Sequence, residues 1–87
     1  MYPIRHPLTL PDLGLADRPV EVSLWLVDIG SPVTTGDRLL EILTPNATID
    51  LPSPATGILT EQCVGESDLL QIGQILGYID EQEEIND

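Results

Sequence analysis

Residues 20–43, VEVSLWLVDIGSPVTTGDRLLEIL, lie without a gap over residues 57–80, GILTEQCVGESDLLQIGQILGYID, at an offset of 37 residues. Val27 meets Val64, Gly36 meets Gly73, Leu39 meets Leu76 and Ile42 meets Ile79, with Val22/Leu59 and Val33/Leu70 as apolar equivalents. The identities are few, but paired glycines standing before paired Leu-x-x-Ile segments mark two copies of one unit. Each copy reads as long strand, tight turn, short strand, glycine turn and strand. Neither half covers its apolar face alone. The two are therefore expected to stack about an approximate twofold axis, with the linking loop 44–46 at one end of the domain.

Strand signals run outward from this repeat. Val22, Leu24 and Leu26 alternate with Glu21, Ser23 and Trp25, which predicts one apolar face over 20–27. Shorter apolar runs follow at 38–43, 47–51, 57–64 and 75–79, each bounded by Gly, Pro, Asp or Ser, the pattern of a closed or sandwiched all-β domain. Proline and glycine interrupt every window long enough for a three-turn helix.

Eighty-seven residues suffice for one small domain. Fifteen acids face three arginines (Arg5, Arg18, Arg38) and no lysine, giving a net charge of −12. Such a chain repels nucleic acid and anionic membrane, and fits either a solvated acidic surface or a basic docking surface on another protein. With one cysteine, Cys63, no internal disulfide forms. Parity with Leu59 and the repeat match to Leu26 predict a buried thiol there. No apolar stretch reaches about 18 residues, and MYPIRHPLTL does not read as a signal peptide, so the expected compartment is the cytoplasm. The expected organisation is a mobile segment over 1–7, a domain over 8–80 and an acidic tail over 81–87. Either a monomer or a weak homodimer, pairing through an exposed edge at 75–79, is compatible with that layout.

Four stretches carry a family likeness. LTLPDLG at 8–14 is similar to an opening strand and turn, and WLVDIGSPVTTGDRLLEI at 25–42 to a tryptophan, glycine turn and D-x-L-x-E-V strand. ATIDLPSPATGIL at 47–59 resembles the strand and Pro-Ser-Pro-x-x-Gly turn that follow a modified lysine. SDLLQIGQILGYID at 67–80 resembles the closing G-D-x-V-x-V-G-Q-x-L-x-x-I, with Ser67 where glycine is usual. Together they resemble the lipoyl and biotinyl carrier domains, the swinging-arm domains of 2-oxo acid dehydrogenase acyltransferases and biotin carboxylases. The resemblance implies an all-β fold, a flattened β-barrel (barrel-sandwich hybrid) of two small four-stranded antiparallel sheets.

It also implies that the chemistry resides in one residue, the lysine of a D-K-A hairpin tip, whose amine takes lipoate or biotin in amide linkage. Here the triplet is Pro45-Asn46-Ala47. The amide nitrogen of asparagine has its lone pair delocalised into the carbonyl and cannot accept lipoate or biotin as the lysine amine does. No lysine elsewhere replaces it, so no cofactor is expected. The turn itself is well specified: Pro45 presets φ near −65°, Asn46 is at ease in the next position, and the Thr44 hydroxyl reaches nearby backbone. Thr44, Pro45, Asn46 and Ala47 are therefore candidates for contact with a partner, the family implying a 2-oxo acid dehydrogenase or a ligase-type enzyme. The resulting expectation is a non-catalytic interaction module. The alternatives are a carrier or acyltransferase component with atypical attachment, and a barrel-sandwich piece of a transport adaptor.

Other chemistry finds little support. His6 has no His, Cys or carboxylate at ligand spacing, and one peripheral histidine assembles no Ser-His-Asp set, so neither a metal centre nor catalysis is expected. Asp12, Asp37 and Asp68 sit beside turn residues, where hydrogen bonding to local backbone accounts for them. Gly30, Gly36, Gly57, Gly73 and Gly77 are expected at strand ends.

Overall fold

The computed structural model describes residues 4–81, which form eight strands. These are β1 (Ile4–Thr9), β2 (Val20–Trp25), β3 (Pro32–Val33), β4 (Arg38–Leu43), β5 (Thr48–Pro52), β6 (Gly57–Gln62), β7 (Leu69–Leu70) and β8 (Ile75–Glu81). They pair antiparallel in two four-stranded sheets, ordered β1-β8-β6-β3 and β5-β4-β2-β7. The 37-residue offset carries β2 onto β6, β3 onto β7 and β4 onto β8, while β5 and β1 take matching edge places. The expected flattened barrel of two stacked halves is the fold observed.

Backbone hydrogen bonds obey the same symmetry. Leu26 N–H donates to Leu39 O, and its counterpart Cys63 N–H to Leu76 O, both at 2.8 Å. Gly30 N–H donates to Leu59 O at 2.7 Å, and Ser67 N–H to Val22 O at 2.9 Å, stitching each half to the other sheet. Two side chains repeat the pattern: Trp25 Nε1–H donates to Val64 O at 2.8 Å, and Gln62 Nε2–H to Val27 O at 3.0 Å.

Bulges recur in register too. The pairing shifts between Val22 and Leu24 in β2 and between Leu59 and Glu61 in β6, leaving Ser23 and its counterpart Thr60 as the extra residues. Leu39 in β4 and Leu76 in β8 are extra in the same way. In β4 the bulge turns two consecutive side chains inward, so Leu39 and Leu40 are both fully buried, as are Leu76 at the β8 bulge and Ile79 beyond it. Together with Val22, Ile42 and Leu59 they form the centre of the core, each contributing about 1.5–3 kcal/mol on burial.

The bulges correct the simple alternation predicted over 20–27. Val20 and Val22 point inward, but after Ser23 the parity inverts, so Leu24 and Leu26 are exposed and Trp25 packs on the core. Cys63 follows suit. Counterpart to Leu26, it lies beyond the bulge at Thr60 and is exposed rather than buried. Partial burial nevertheless pushes its thiol pKa up, with the Glu61 charge adding to the rise and Arg5 opposing it.

Three further expectations change. Residues 4–7, assigned to a mobile segment, belong to β1, which pairs with β8 from Ile4↔Glu81 to Thr9↔Ile75; residues 1–3 and 82–87 lie outside the described residues. Pro7 is tolerated because β1 is an edge strand, where a missing N–H faces solvent. Arg5 fastens this strand: it bonds Asp80 (Nε to Oδ1, 3.2 Å), reaches Glu61 at 3.4 Å and stacks over the Tyr78 ring at 4.4 Å. The 75–79 segment has no free edge, since β8 is hydrogen-bonded on one side to β1 and on the other to β6. Finally, Gly77 lies inside β8, not at its end. A Cβ there would stand 2.5 Å from Glu61 O and 3.0 Å from the Trp25 ring, so glycine is required to seat the indole. Its counterpart is the buried Leu40, and Trp25's counterpart is the smaller Gln62, so the Trp25–Gly77 packing, which runs from one half to the other, is where the two copies differ in side-chain size.

Candidate functional site

The hairpin linking the halves is built from Thr44 to Ala47, between β4 and β5. Thr44 N–H donates to Ala47 O at 2.8 Å, the Thr44 hydroxyl donates to the same oxygen at 2.8 Å, and Ala47 N–H donates to Thr44 Oγ1 at 3.1 Å. The hydroxyl thus takes the acceptor place that the residue's own carbonyl holds in an ordinary type I turn. Threonine at the first position is what makes this closure possible, as the turn chemistry predicts. Pro45, Asn46 and Ala47 are exposed, and the Asn46 carboxamide takes no part in the bonds that close the turn.

Symmetry fixes where this tip stands. β2 starts at the tip end, because Glu21 pairs with Leu43, while β6 starts at the end where Ile58 pairs with Asp80. The two strands run oppositely, since the turn after β2 bonds Leu59 and the turn after β6 bonds Val22. Ile4 and Glu81, paired on neighbouring strands, therefore lie at the pole opposite the tip.

One difference between the halves adjoins the tip. Gly36 N–H donates to Ser53 O and Gly73 N–H to Leu10 O, which makes Ser53 and Leu10 counterparts. From there the second half needs only residues 54–56 to reach β6, whereas the first uses 11–19 to reach β2. This longer connection turns through Gly14 and Ala16, at φ 73° and 53°, and is held by Gly14 N–H donating to Asp12 Oδ1 at 2.9 Å. With β7 it walls a groove of about 480 Å³ lined by Leu13, Leu15, Arg18, Val20, Leu69 and Ile72. Leu69 shares a cross-strand row with Glu21, Leu43 and Thr48, so the groove flanks the tip. Its walls are far apart in sequence, and no local motif announces it.

Elsewhere, side chains singled out in the sequence have structural work. Asp12, Asp37 and Asp68 each accept a backbone N–H within two or three residues, from Gly14, Thr34 and Gly65. His6, in β1, meets Glu81 at 2.7 Å across the strand pair. Among the described residues no group of three or more His, Cys, Asp or Glu side chains is placed to hold a metal ion, and no helix is long and apolar enough to cross a membrane.

Comparison with known proteins assigns this architecture. A model of the biotin/lipoyl family, described as "Biotin-requiring enzyme", matches residues 6–79, and the chain belongs to that family. It is 30% identical over 78 residues to the dihydrolipoyllysine-residue acetyltransferase component of the acetoin cleaving system of Pseudomonas putida, covering 90% of this chain and 21% of that protein. It is 33% identical over 73 residues to the lipoamide acyltransferase component of the branched-chain alpha-keto acid dehydrogenase complex of Bacillus subtilis, covering 84% and 17%. The chain thus spans about a fifth of the length of these curated relatives. Among solved structures, the lipoyl domain of the 2-oxoglutarate dehydrogenase complex from Azotobacter vinelandii superposes with a TM-score of 0.71 at 21% identity, covering 88% of this chain and 98% of that one. The urea carboxylase of Kluyveromyces lactis gives 0.74 at 15% identity, covering 91% and 6%. At these identities the structures speak for the fold alone.

Proposed function

We propose that this chain is a lipoyl/biotinyl-type domain that works without a swinging arm, as a non-catalytic module presenting its hairpin tip to a protein partner. The observation that carries the reading is a soundly closed Thr44–Ala47 turn, exposed at one pole, in 87 residues that contain no lysine. Neither lipoate nor biotin has an ε-amine to join. What remains is shape: a rigid tip beside an apolar groove, on a strongly acidic surface suited to a basic partner face. The relatives' places in acyltransferase assemblies favour a 2-oxo acid dehydrogenase as that partner, with a ligase-type enzyme as the other partner class the family resemblance implies.

Restoring the amine tests the assignment. The native chain should gain no mass on incubation with lipoate or biotin ligase and cofactor. A Pro45→Asp/Asn46→Lys variant, which rebuilds D-K-A, should gain one lipoyl or biotinyl group. Modification of the native chain sinks the proposal in favour of a carrier with atypical attachment, and failure of the folded double variant sinks the equivalence of Asn46 with the attachment position.

A further inference from the structure

The tip reads differently once its neighbour in β5 is included. Asn46-Ala47-Thr48 has the form N-x-[ST] with x other than proline, the acceptor pattern for N-linked sugar. The structure supplies a second, independent observation. Asn46 and Thr48 are both exposed, and Asn46 crowns the turn without contributing to the bonds that hold it. Those bonds belong to Thr44 and Ala47, so a substituent on the carboxamide nitrogen would leave the hairpin intact.

We infer that Asn46 is a glycosylation site, so that the tip remains a point of covalent attachment with sugar in place of a carboxylic-acid cofactor. The inference goes beyond the docking reading and shares only the tip geometry with it. Lipoate and biotin need an amine to attack an acyl carbon, and the delocalised amide nitrogen of asparagine does not serve. N-glycosylation asks something else of that nitrogen. With a transferase base taking one proton, Asn46 Nδ2 bonds to the anomeric carbon of a sugar phosphate donor. The bond from that carbon to the phosphate oxygen breaks, both electrons leaving with the phosphate. No oxidant or reductant enters. The donor class is a glycosyl diphosphate, carried either by a soluble nucleotide or by a membrane polyprenyl chain. The Thr48 hydroxyl is the second half of the acceptor pattern, and its place as the first residue of β5, across from Leu43, holds it at fixed spacing from the tip.

The test is intact-mass and peptide mass spectrometry on the full chain isolated from its own host. The expected result is added mass of one or more sugar residues on the peptide containing Asn46, absent in Asn46→Gln and Thr48→Ala and retained in Thr48→Ser. Thermal melts on the variants check that each is folded. Extracts supplied with nucleotide sugar alone, or with membranes carrying lipid-linked sugar, then separate the two donor sources. A bare chain mass in native material, or sugar that persists in Asn46→Gln, overturns the inference. Neither result touches the docking reading, whose failure would show as lipoyl or biotinyl mass.

Discussion

Ser67→Gly should stabilise the fold, and the twofold symmetry says by how much. Ser67 sits at φ 70°, a left-handed conformation that costs an L-residue about 1–2 kcal/mol. Its counterpart in the first half is Gly30, at φ 93°, so the turn demands that conformation and the second half meets it with a side chain. Glycine removes the strain but adds unfolded-state freedom worth about 0.5–1 kcal/mol. The difference leaves a net gain of up to about 1.5 kcal/mol, centred on about 0.75 kcal/mol, which is roughly 3–6 °C in Tm for a domain of this size. The Ser67 N–H bond to Val22 O survives the change, so nothing else should move. Gly30→Ser is the reciprocal control. A Cβ there meets nothing within 4 Å, so its expected loss of about 1 kcal/mol is conformational alone. Urea unfolding with unchanged m would measure both. If Ser67→Gly is neutral or destabilising while Gly30→Ser is costly, the two turns are not equivalent and the symmetry argument fails.

Gly77→Ala should cost about 2–3 kcal/mol, because the added methyl meets the Glu61 carbonyl and the Trp25 ring on a strand paired along both edges; a loss under about 0.5 kcal/mol in urea unfolding would contradict that packing. Thr44→Val should lower stability by about 0.5–1 kcal/mol by removing the hydroxyl that both donates to and accepts from Ala47, and hydrogen exchange at Ala47 should quicken. The Cys63 thiol is held above its ordinary 9.0 in the fold, so the pH midpoint of iodoacetamide alkylation should lie higher for the native chain than in urea. The sign follows: its contribution to stability is present below the unfolded pKa and lost as pH rises through the folded one. Coincident midpoints would remove the shift.

The repeat made much of this fold legible before any coordinates. Glycines at 36 and 73 and the Leu-x-x-Ile pairs located the turns and central strands, and Ser67 stood out as a substituted glycine. What alternation could not show were the bulges. An extra residue at Ser23 or Thr60 leaves composition unchanged yet shifts every later side chain to the other face, which is why Trp25 faces inward and Cys63 outward. β1 was obscured for another reason: Pro7 reads as a breaker, and only an edge position makes it harmless. At the site, Thr-Pro-Asn announced a tight turn, but the hydroxyl's substitution for a carbonyl depends on side-chain placement. The groove beside it depends on loop 11–19 meeting β7, a contact between distant segments.

The pairing of Ile4 with Glu81 has a mechanical meaning. Any longer polypeptide that includes this domain enters and leaves it side by side at one pole, so the domain hangs from its neighbours like a pendant on a doubled cord. A pull along the chain then loads β1 against β8 in a peeling mode, with Arg5 as the clasp, and leaves the opposite pole slack. Thr44–Ala47 would stay in shape and free to sweep space even while the tether is under tension.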